Sequence, residues 1–559
     1  MMRTITLLIA VLLAIRLQAA HAQASGPGWN WAQAITSPGD CYPEDMAMDA
    51  QGNTYVVATY QTSATLGGAT LPAGATATTA LIAKHSPAGA ILWTRTISGI
   101  HRFGDLQIAT DTNNDLVLAG FFFTSLSLGG QTVYAPFGAG IFTAKLSAQG
   151  QLRWLRLSSD QPGTFEDLGL DAAGNLYLSG SCSGRITFGA LAITPVNGID
   201  QFVVKLDSGG VAQWGRQGGH IPLIANGPSV RYAYHTLAVA PNGDCYLSWT
   251  MNTGAGPFGS LPSLPGFGAF DVALIKYDTQ GTLRWMHHFG TTLDDWAGDM
   301  ALDQQGHVLA TMRFAGTFAA GPATVGSQTL TGTGIHYAAL MQLDAATGAI
   351  NWVCTLSADN TAAFRGIATD AAGNSYVAGL LTGNALFGAR PLSSTGVIEP
   401  DALVASYSAQ GSPRWVQQSG SYLAEGAEFI RLDARGQLVV AGYFRGVAQF
   451  GSTALTGPGP GNPLSGFVAR LATLPTATTT ARAAGPLPLY PSPATDIVHL
   501  PLPYAGSRIQ FIDALGRLAR ETVASAAAEV SVRDLAPGLY TLHATDGMRP
   551  PFSGRVAVE

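Results

Sequence analysis

The chain has 559 residues, of which 47% are apolar and only 11% are charged, and its formal net charge is −6. This composition excludes a disordered chain, which needs low hydrophobicity and high charge, and no basic cluster points to a nucleic-acid partner. The 68 Gly and 31 Pro are spread along the whole sequence and favour many short strands with tight turns.

The N-terminus has the three-part pattern of a secretory signal peptide. Arg3 is followed by an apolar run from Ile5 to Ile15 and by small residues up to Ala22. Cleavage there would remove residues 1–22. No later apolar stretch approaches the roughly 20 residues of a membrane-spanning helix, so we expect an exported chain without a transmembrane segment.

Residues 23–471 contain an internal repeat whose period is marked by tryptophan. Seven of the ten tryptophans recur at intervals of about 60 to 70 residues. They are Trp31, Trp93, Trp154, Trp214, Trp285, Trp352 and Trp415. We therefore interpret this region as seven copies of one structural unit, numbered here from the N-terminus.

The first strand of each repeat leads into a turn of the form Asp-x-x-Gly, which we call the Asp turn, as at Asp49-Ala-Gln-Gly52. The carboxylate is expected to cap the turn amides while the fourth residue takes a positive φ. Repeat two has Asn114 at this fourth position, and Asn also tolerates the left-handed region. The remaining repeats carry Asp111, Asp171, Ala240, Asp303, Asp370 and Asp433 at the first position.

A second hairpin, of the form Lys…Gly…Trp, closes the repeat. The four lysines of the chain all occupy its Lys position, where the other three repeats have Gln342, Ser406 and Arg470. The four are Lys84, Lys145, Lys205 and Lys276. Because not every repeat carries one, we interpret them as residues of the strand surface and not as a ligand set.

These signals divide each repeat into four strands, and four-stranded sheets repeated radially form a β-propeller. A linear solenoid is the competing architecture, but it would need altered capping repeats. Repeat seven ends at Phe467–Leu471 without a Trp strand, whereas the mature N-terminus opens with an extra strand at Trp29–Trp31. We therefore predict an all-β fold in which this first strand completes the last blade of a seven-bladed β-propeller.

The combination of the Asp turn, a following apolar-Gly pair and the Lys…Gly…Trp hairpin resembles the bacterial SBBP proteins. Their name denotes the seven-bladed β-propeller repeat, and the resemblance covers residues 29–471. It implies the fold. It implies no activity, because the family is defined by its repeat and shares no ligand.

A Pro-, Thr- and Ala-rich linker, residues 472–486, precedes a C-terminal region, residues 487–559, of short alternating strands. Such a pattern predicts a small Ig-like β-sandwich. The region resembles the C-terminal sorting domain, type A-like, of type IX secretion cargo. The resemblance rests on Tyr490-Pro-Ser-Pro-Ala494, where the family has Asn for Ser492, on Asp513-Ala-Leu-Gly516-Arg517, and on Leu535-x-Pro-Gly538-x-Tyr540. It implies that this region is an export address read by the secretion machinery, and it places the protein outside the cell or on its outer surface.

The candidate ligand site lies in the loops between the last strand of one repeat and the first strand of the next. In five repeats an aromatic residue is followed closely by a carboxylate, and in propellers such loops surround the mouth of the central channel. Aromatic rings stack on sugars, and carboxylates accept hydroxyl hydrogen bonds or hold a cation. The alternative is that the aromatics pack between blades and the acids are solvated loop ends. The candidate binding residues are Tyr42, Asp45, Phe103, Asp105, Phe165, Asp167, Trp296, Asp299, Tyr422 and Glu428.

No motif for a catalytic nucleophile, a metal or a phosphate is present. The Asp turn lacks the alternating carboxylates of a calcium loop, so we predict no cofactor, with Ca²⁺ at the mouth as an open option. We expect a monomeric, non-enzymatic binding or adhesion protein whose partner is a glycan or a surface protein. The alternative is a secreted polysaccharide hydrolase or lyase with its site at the propeller mouth, near repeats four and five.

Overall fold

The computed structural model describes residues 24–559 apart from a set of gaps, and the expected signal peptide and nearly all of the linker lie outside the described residues. The gaps are 72–77, 101–105, 161–162, 197–198, 221–234, 253–266, 269, 316–322, 326–327, 331–335, 397, 421–422, 460, 462, 473–492, 501–505, 514–516, 527 and 546–551. Within the described residues the regular structure is β-strand throughout. The chain divides into two compact units, residues 1–473 and 474–559.

In the first unit, each sequence repeat forms an antiparallel sheet of four strands that pair in chain order. The first strands are Cys41–Met48, Leu106–Thr110, Gly163–Leu170, His235–Val239, Asp295–Leu302, Thr361–Thr369 and Glu425–Leu432. The second strands are Thr54–Tyr60, Leu116–Leu128, Leu176–Cys182, Cys245–Asn252, His307–Ala315, Ser375–Thr382 and Leu438–Phe444. The third strands are Thr79–His85, Gln131–Leu146, Asp200–Leu206, Phe270–Tyr277, His336–Asp344, Asp401–Tyr407 and Ser465–Leu471. The fourth strands of repeats one to six are Ile91–Ile100, Leu152–Leu157, Ala212–His220, Leu283–Phe289, Ile350–Ser357 and Pro413–Ser419.

The fourth strand of repeat seven is supplied by the N-terminus, as predicted. Trp29–Thr36, the closing strand, runs antiparallel to Ser465–Leu471, with Trp31 opposite Arg470 and Ala34 opposite Phe467. A further short strand, Ala24–Ser25, pairs in parallel with Trp415 and Val416 of repeat six. The two ends of the first unit are thus tied together by a backbone ladder.

The apolar cores lie between neighbouring repeats. One cluster joins Met46 and Val56 of repeat one to Val439 and Val468 of repeat seven, so the first and last repeats share a core. A linear stack of repeats could not form this contact, because its terminal units are far apart. The first unit is therefore a closed ring of sheets, the arrangement of a β-propeller.

In five repeats the described residues include an extra short hairpin between the second and third strands, at the apolar-Gly pair, which the sequence pattern did not predict. In repeat two the pair Leu128-Gly129 instead joins the long second and third strands. Gly67 and Gly68 both have positive φ, 58° and 82°, as a two-residue hairpin turn requires. The hairpin strands are Ala64–Leu66 with Ala69–Leu71, Ile186–Phe188 with Leu191–Ile193, Ala323–Val325 with Gln328–Leu330, Asn384–Phe387 with Arg390–Ser393, and Val447–Phe450 with Thr453–Thr456. The two-residue strand Ser159–Asp160 pairs with Ile186 and Thr187.

The Asp turns have the predicted chemistry. Asp49 Oδ1 accepts the N–H groups of Gln51 and Asn53 at 3.1 and 2.9 Å, and the fourth residue, Gly52, has φ 79°. Asn114, which replaces Gly in repeat two, has φ 61°. The substitution by Asn is therefore explained by the backbone conformation.

The prediction that the lysines are strand-surface residues is wrong. Lys84 is 6% exposed, and its ammonium lies 3.0 Å from Asp49 Oδ2 of the turn in its own repeat. Lys145 and Lys205 pair in the same way with Asp111 and Asp171. In repeat four, where Ala240 stands at the first turn position, Lys276 pairs instead with Asp244 directly after the turn. A buried ammonium must be paired, and the Asp turn provides the carboxylate. Each of these lysines thus joins the two hairpins of its own repeat.

The C-terminal unit contains a two-stranded and a four-stranded antiparallel sheet. Val498, Phe511, Val530, Leu542 and Val556 belong to its single apolar core. The strands are Ile497–His499, Arg508–Ile512, Leu518–Val523, Glu529–Ser531, Gly538–Thr545 and Phe552–Val558. Short strands thus occupy this region, as the alternating pattern of the sequence predicted, and Leu518–Val523 is a strand that the pattern did not predict.

Candidate functional site

Seven of the ten predicted binding residues are described, and they lie on or just before the first strands of their repeats. Phe103, Asp105 and Tyr422 lie outside the described residues. Several first strands carry a β-bulge in their N-terminal half. Examples lie between Pro43 and Asp45 and between Phe165 and Asp167. A bulge re-aims the side chain beside it, and here it sets the direction of the aspartates.

The three described aspartates occupy one repeat position, four residues before the first residue of the Asp turn, and each of them bridges two repeats. Asp45 Oδ1 accepts the Met46 N–H at 2.6 Å, and its Oδ2 accepts the Ile108 N–H of repeat two at 2.8 Å. Asp167 binds the Leu168 and Leu237 amides, both at 2.7 Å, and Asp299 binds those of Met300 and Ile367 at 2.8 and 3.1 Å. These carboxylates therefore join repeats one to two, three to four, and five to six.

The three carboxylates are close enough to influence one another's ionisation. Burial raises the pKa of Asp45 to about 6, and the negative charge of Asp299 adds to the rise. Burial likewise raises the pKa of Asp167 well above its usual value, with contributions from Asp299 and Asp45. Carboxylates from three different repeats thus raise one another's pKa values by their negative charge.

Arg431 of repeat seven supplies the compensating charge, and sequence reasoning missed it. Its Nη2 lies 3.4 Å from Asp45 Oδ1, and its positive charge lowers the pKa of both Asp45 and Asp299 against the effect of burial. The repeat pattern of the sequence nevertheless marks Arg431 as unusual. The residue two before the turn is Ala47, Ala109, Gly169, Ala238, Ala301 and Ala368 in repeats one to six. Arg431 breaks this run of small residues.

The aromatic candidates divide into packed and accessible groups. Phe165 is 1% exposed within an interior cluster, so its ring offers no face to a ligand, in agreement with the packing alternative. Tyr42 is half-buried and stacks on Tyr443, with ring centroids 5.5 Å apart. Burial raises the pKa of Tyr443, and the negative charge of the half-buried Glu428 raises it further.

Trp296 lies at the centre of a cluster of three different kinds of side chain at the mouth. The Arg313 guanidinium lies over the Trp296 ring, 3.8 Å from the ring centroid, and His336 meets the ring edge-on at 5.8 Å. Burial, together with the Arg313 charge, lowers the pKa of His336 to about 4. Trp296 itself is half-buried. Sequence reasoning found the tryptophan but missed Arg313 and His336, which come from the second and third strands.

This group can offer an aromatic face, a planar cation with several N–H donors, and a neutral imidazole. Such a combination suits polyhydroxylated or anionic ligands, because guanidinium groups bind hydroxyl and carboxylate oxygens. Among the described residues there is no group of three or more His, Cys, Asp or Glu side chains positioned to hold a metal ion.

Comparison with protein families matches residues 488–554 to the secretion system C-terminal sorting domain. This match agrees with the resemblance of the C-terminal region to type IX cargo, and it indicates secretion to the cell surface or the extracellular space. A domain of this kind implies an interaction with the secretion machinery. Within the described part of the chain, no helix is long and apolar enough to cross a bilayer.

No curated protein matches the chain. Among solved structures, BamB from Moraxella catarrhalis is 13% identical, with 81% of this chain and 99% of that chain covered and a TM-score of 0.31. An ulvan lyase, a polysaccharide lyase bound to a glucuronate–rhamnose sulfate unit, is 11% identical, with 75% and 92% covered and a TM-score of 0.36. PorZ, a surface component of the type IX secretion system of Porphyromonas gingivalis, is 11% identical, with 92% and 81% covered and a TM-score of 0.24. Such TM-scores carry no weight for function, so the ring architecture rests on the strand pairing described above.

Proposed function

We propose that this protein is a non-enzymatic binding or adhesion protein, a monomer, exported by a type IX-like route. In this proposal residues 23–471 form a seven-bladed β-propeller of the SBBP type, and residues 487–559 form an Ig-like sandwich that serves as the export address. The ligand is a glycan that binds at the mouth, around Trp296.

The observation that carries the choice of binding over catalysis is the use made of the inner aspartates. A glycosidase needs two carboxyl groups that reach the substrate, one to protonate the leaving oxygen and one to act as a base towards water or as a nucleophile. Here each of the three aspartates, such as Asp45, has both oxygens engaged by backbone amides of two adjacent repeats. Asp45 is also only 3% exposed. These aspartates connect neighbouring repeats. In this proposal the aromatic and guanidinium groups therefore contact the ligand.

Trp296 and Arg313 support a glycan as the ligand. The indole presents an apolar face suited to the C–H surface of a sugar ring, and the guanidinium beside it can donate to hydroxyl, carboxylate or sulfate oxygens. Because the two side chains stack on each other, with the guanidinium 3.8 Å from the ring centroid, both are held in one orientation before the ligand arrives.

A hydrolase or lyase at the same mouth remains the second candidate because of His336. Its pKa of about 4 keeps the imidazole neutral at physiological pH, the form in which a histidine acts as a general base. A lyase needs such a base to remove a proton beside a uronate carboxylate, and Arg313 could neutralise that carboxylate.

The test is a glycan-array screen of the secreted chain, with and without Ca²⁺, followed by titration of the best glycan. We expect the Trp296→Ala variant to lose affinity at least tenfold, since an aromatic contact of this kind contributes about 1.4 kcal/mol or more. The matched control is Tyr134→Ala, which removes an aromatic residue that is 72% exposed in repeat two and should leave binding unchanged. Turnover of the bound glycan, with loss of turnover in a His336→Ala variant, would replace the binding proposal with the enzymatic one.

A further inference from the structure

Each buried lysine binds acceptors of the same kinds at the end of the strands opposite the mouth. In repeat one, the Lys84 ammonium lies between Asp49 Oδ2, at 3.0 Å, and the Ala148 carbonyl oxygen of repeat two, at 3.2 Å. The same two kinds of acceptor, a carboxylate of its own repeat and a carbonyl of the next, surround the lysines of repeats three and four. These contacts are Lys205 with Asp171 and Thr279, and Lys276 with Asp244 and Ala345.

Repeat five keeps the acceptors but not the ammonium. Gln342 stands at the Lys position, and its Oε1 accepts from Asn351 Nδ2 at 3.2 Å. The equivalent carbonyl is that of Ala409, which still accepts the Trp352 indole N–H at 2.9 Å, just as the Ala148 carbonyl accepts the Trp93 indole N–H. A cavity of about 620 Å³ lies here, and we call it the socket. Its lining includes Asp303, Gln305, His307, Gln342, Trp352 and Ala409.

The carboxylate of the socket is directed towards the next repeat. A Cβ placed on Gly373, in the Asp turn of repeat six, would lie 3.6 Å from Asp303 Oδ2. The Asp303 side chain is only 1% exposed, and His307 Nδ1 contacts the same oxygen at 2.7 Å. Among the described residues, this histidine is the ion-pair partner that the structure shows for Asp303.

Of the other two repeats that lack lysine, repeat seven has an arginine at the Lys position and repeat six has a serine. Arg470 of repeat seven pairs with Asp433 and donates to the Gly52 carbonyl of repeat one at 3.3 Å. In repeat six the Lys position holds Ser406, and Arg414 of the fourth strand donates to its Oγ at 3.4 Å. In repeat five the Lys position holds Gln342, whose side chain is shown with an uncharged partner, Asn351.

We propose that the repeat-five socket binds an aliphatic primary ammonium group, the lysine side chain of a polypeptide partner, between Asp303 and the Ala409 carbonyl. The molecule itself shows which group these acceptors fit, because the carboxylate of the Asp turn holds a lysine ammonium in repeats one to three. The carbonyl of the next repeat accepts from the lysine in repeats one, three and four. An alkyl chain is needed because the carboxylate is buried, and Trp352 lines the path with an apolar surface. An ammonium attached directly to a sugar ring would be too bulky to reach it. The exposed amides of Gln305 and Gln410 at the rim can bind the backbone of the partner.

The test combines binding and stability in the full secreted chain. Nα-acetyl-lysine amide is titrated by calorimetry or NMR against the wild type, and its Nε-acetylated form, which lacks the charge, serves as the ligand control. We expect the lysine amide to bind and the Nε-acetylated form not to bind. Gln342→Lys should fill the socket from within, weaken binding at least tenfold and raise Tm by about 2 °C, as a restored buried pair would. Gln280→Lys, the same charge change at an exposed hairpin residue of repeat four, should alter neither.

Two results would overturn the proposal. Unchanged binding of the lysine amide by Gln342→Lys would place the ligand elsewhere, and glucosamine binding more tightly than the lysine amide would identify an amino sugar as the occupant. Failure of the glycan screen at the mouth would leave this result untouched, because the socket lies at the other end of the strands and the two experiments use different variants.

Discussion

At the residue scale, a single repeat position shows how side chains connect neighbouring units. It holds Asp in repeats one, three and five, and in repeat four Thr236 takes the role by donating to the Gly298 carbonyl of repeat five at 2.6 Å. In repeat six the position is Gly366, where a Cβ would lie 2.7 Å from the Glu428 carbonyl oxygen of repeat seven. In repeats one, three, four and five the side chain at this position therefore bonds to the following repeat, whereas the close approach of repeat seven leaves no room for a side chain at Gly366.

Arg431 offers a test of the charges at the ring centre. In the Arg431→Gln variant the pKa values of Asp45 and Asp299 should rise further, since the arginine lowers both. A raised carboxyl pKa contributes stability below the unfolded value, and that stability is lost as the pH rises through the folded value. The variant should therefore match the wild type near pH 4.5 and be less stable by about 1 kcal/mol at pH 7.5, after allowing for solvent screening of a partly exposed pair.

Chemical unfolding at the two pH values measures this difference. Arg153→Gln, which breaks the half-exposed pair between Arg153 and Asp115, is the control and should show little change at either pH. An equal loss of stability for Arg431→Gln at both pH values would show that the arginine acts by packing and not by its charge.

At the element scale, the closing strand is the feature on which the ring depends. Ile35 is fully buried within it, and the Trp31 indole N–H donates to the Pro87 carbonyl of repeat one at 3.1 Å. Trp93, Trp214, Trp285 and Trp352 make the same bond to the closing hairpin of the repeat that follows each of them. The tryptophan period of the sequence is thus a period of contacts between sheets. Removal of the closing strand would expose both the edge of Ser465–Leu471 and the core between repeats seven and one.

Deleting residues 23–35 should therefore lower Tm by about 10 °C or more, since several kilocalories of stability are lost and each shifts the midpoint by a few degrees. The control deletes residues 23–27, which removes only the two-residue strand Ala24–Ser25 with its pairing to Trp415 and Val416, and we expect a much smaller shift. Differential scanning calorimetry of the three chains makes the comparison. Equal melting of the wild type and the longer deletion would contradict closure by the N-terminal strand.

At the scale of the whole molecule, the chain consists of two compact units. The first carries the ring, the mouth and the socket, whereas the second has its own apolar core and matches a sorting domain over residues 488–554. A separate core allows the C-terminal unit to fold by itself and to be recognised without help from the ring. The proposed ligand site and the matched sorting domain therefore lie in separate parts of the chain.

A chain lacking residues 474–559 should be retained in the periplasm of the producing cell, because the secretion machinery loses its recognition element. The full chain should be released or displayed, and mass spectrometry of the secreted form should show a C-terminus between residues 472 and 488. The control is Trp296→Ala, which changes the first unit and leaves the C-terminal unit intact, and this variant should be exported normally. Intact Glu559 on the secreted protein would show that the C-terminal unit is part of the working molecule.

The sequence by itself determined the features that repeat. Local backbone preferences predict the Asp turns, and they recur with the tryptophan period along the repeats. The number of strands predicts that the two ends of the first unit share one sheet. The sorting domain was likewise readable, because its motifs lie close together in the chain.

Only the tertiary structure decided which side chains meet across repeats. The sequence placed Asp45 and Trp296 at the mouth, but it could not show that a backbone amide of repeat two takes one Asp45 oxygen or that Arg313 covers the Trp296 ring. It also placed the lysines on the surface, although Lys84 is buried against Asp49, 35 positions away in the chain. The physical reason is that such contacts depend on the distance and angle between neighbouring sheets, which are fixed by packing and have no counterpart in the local pattern of a strand.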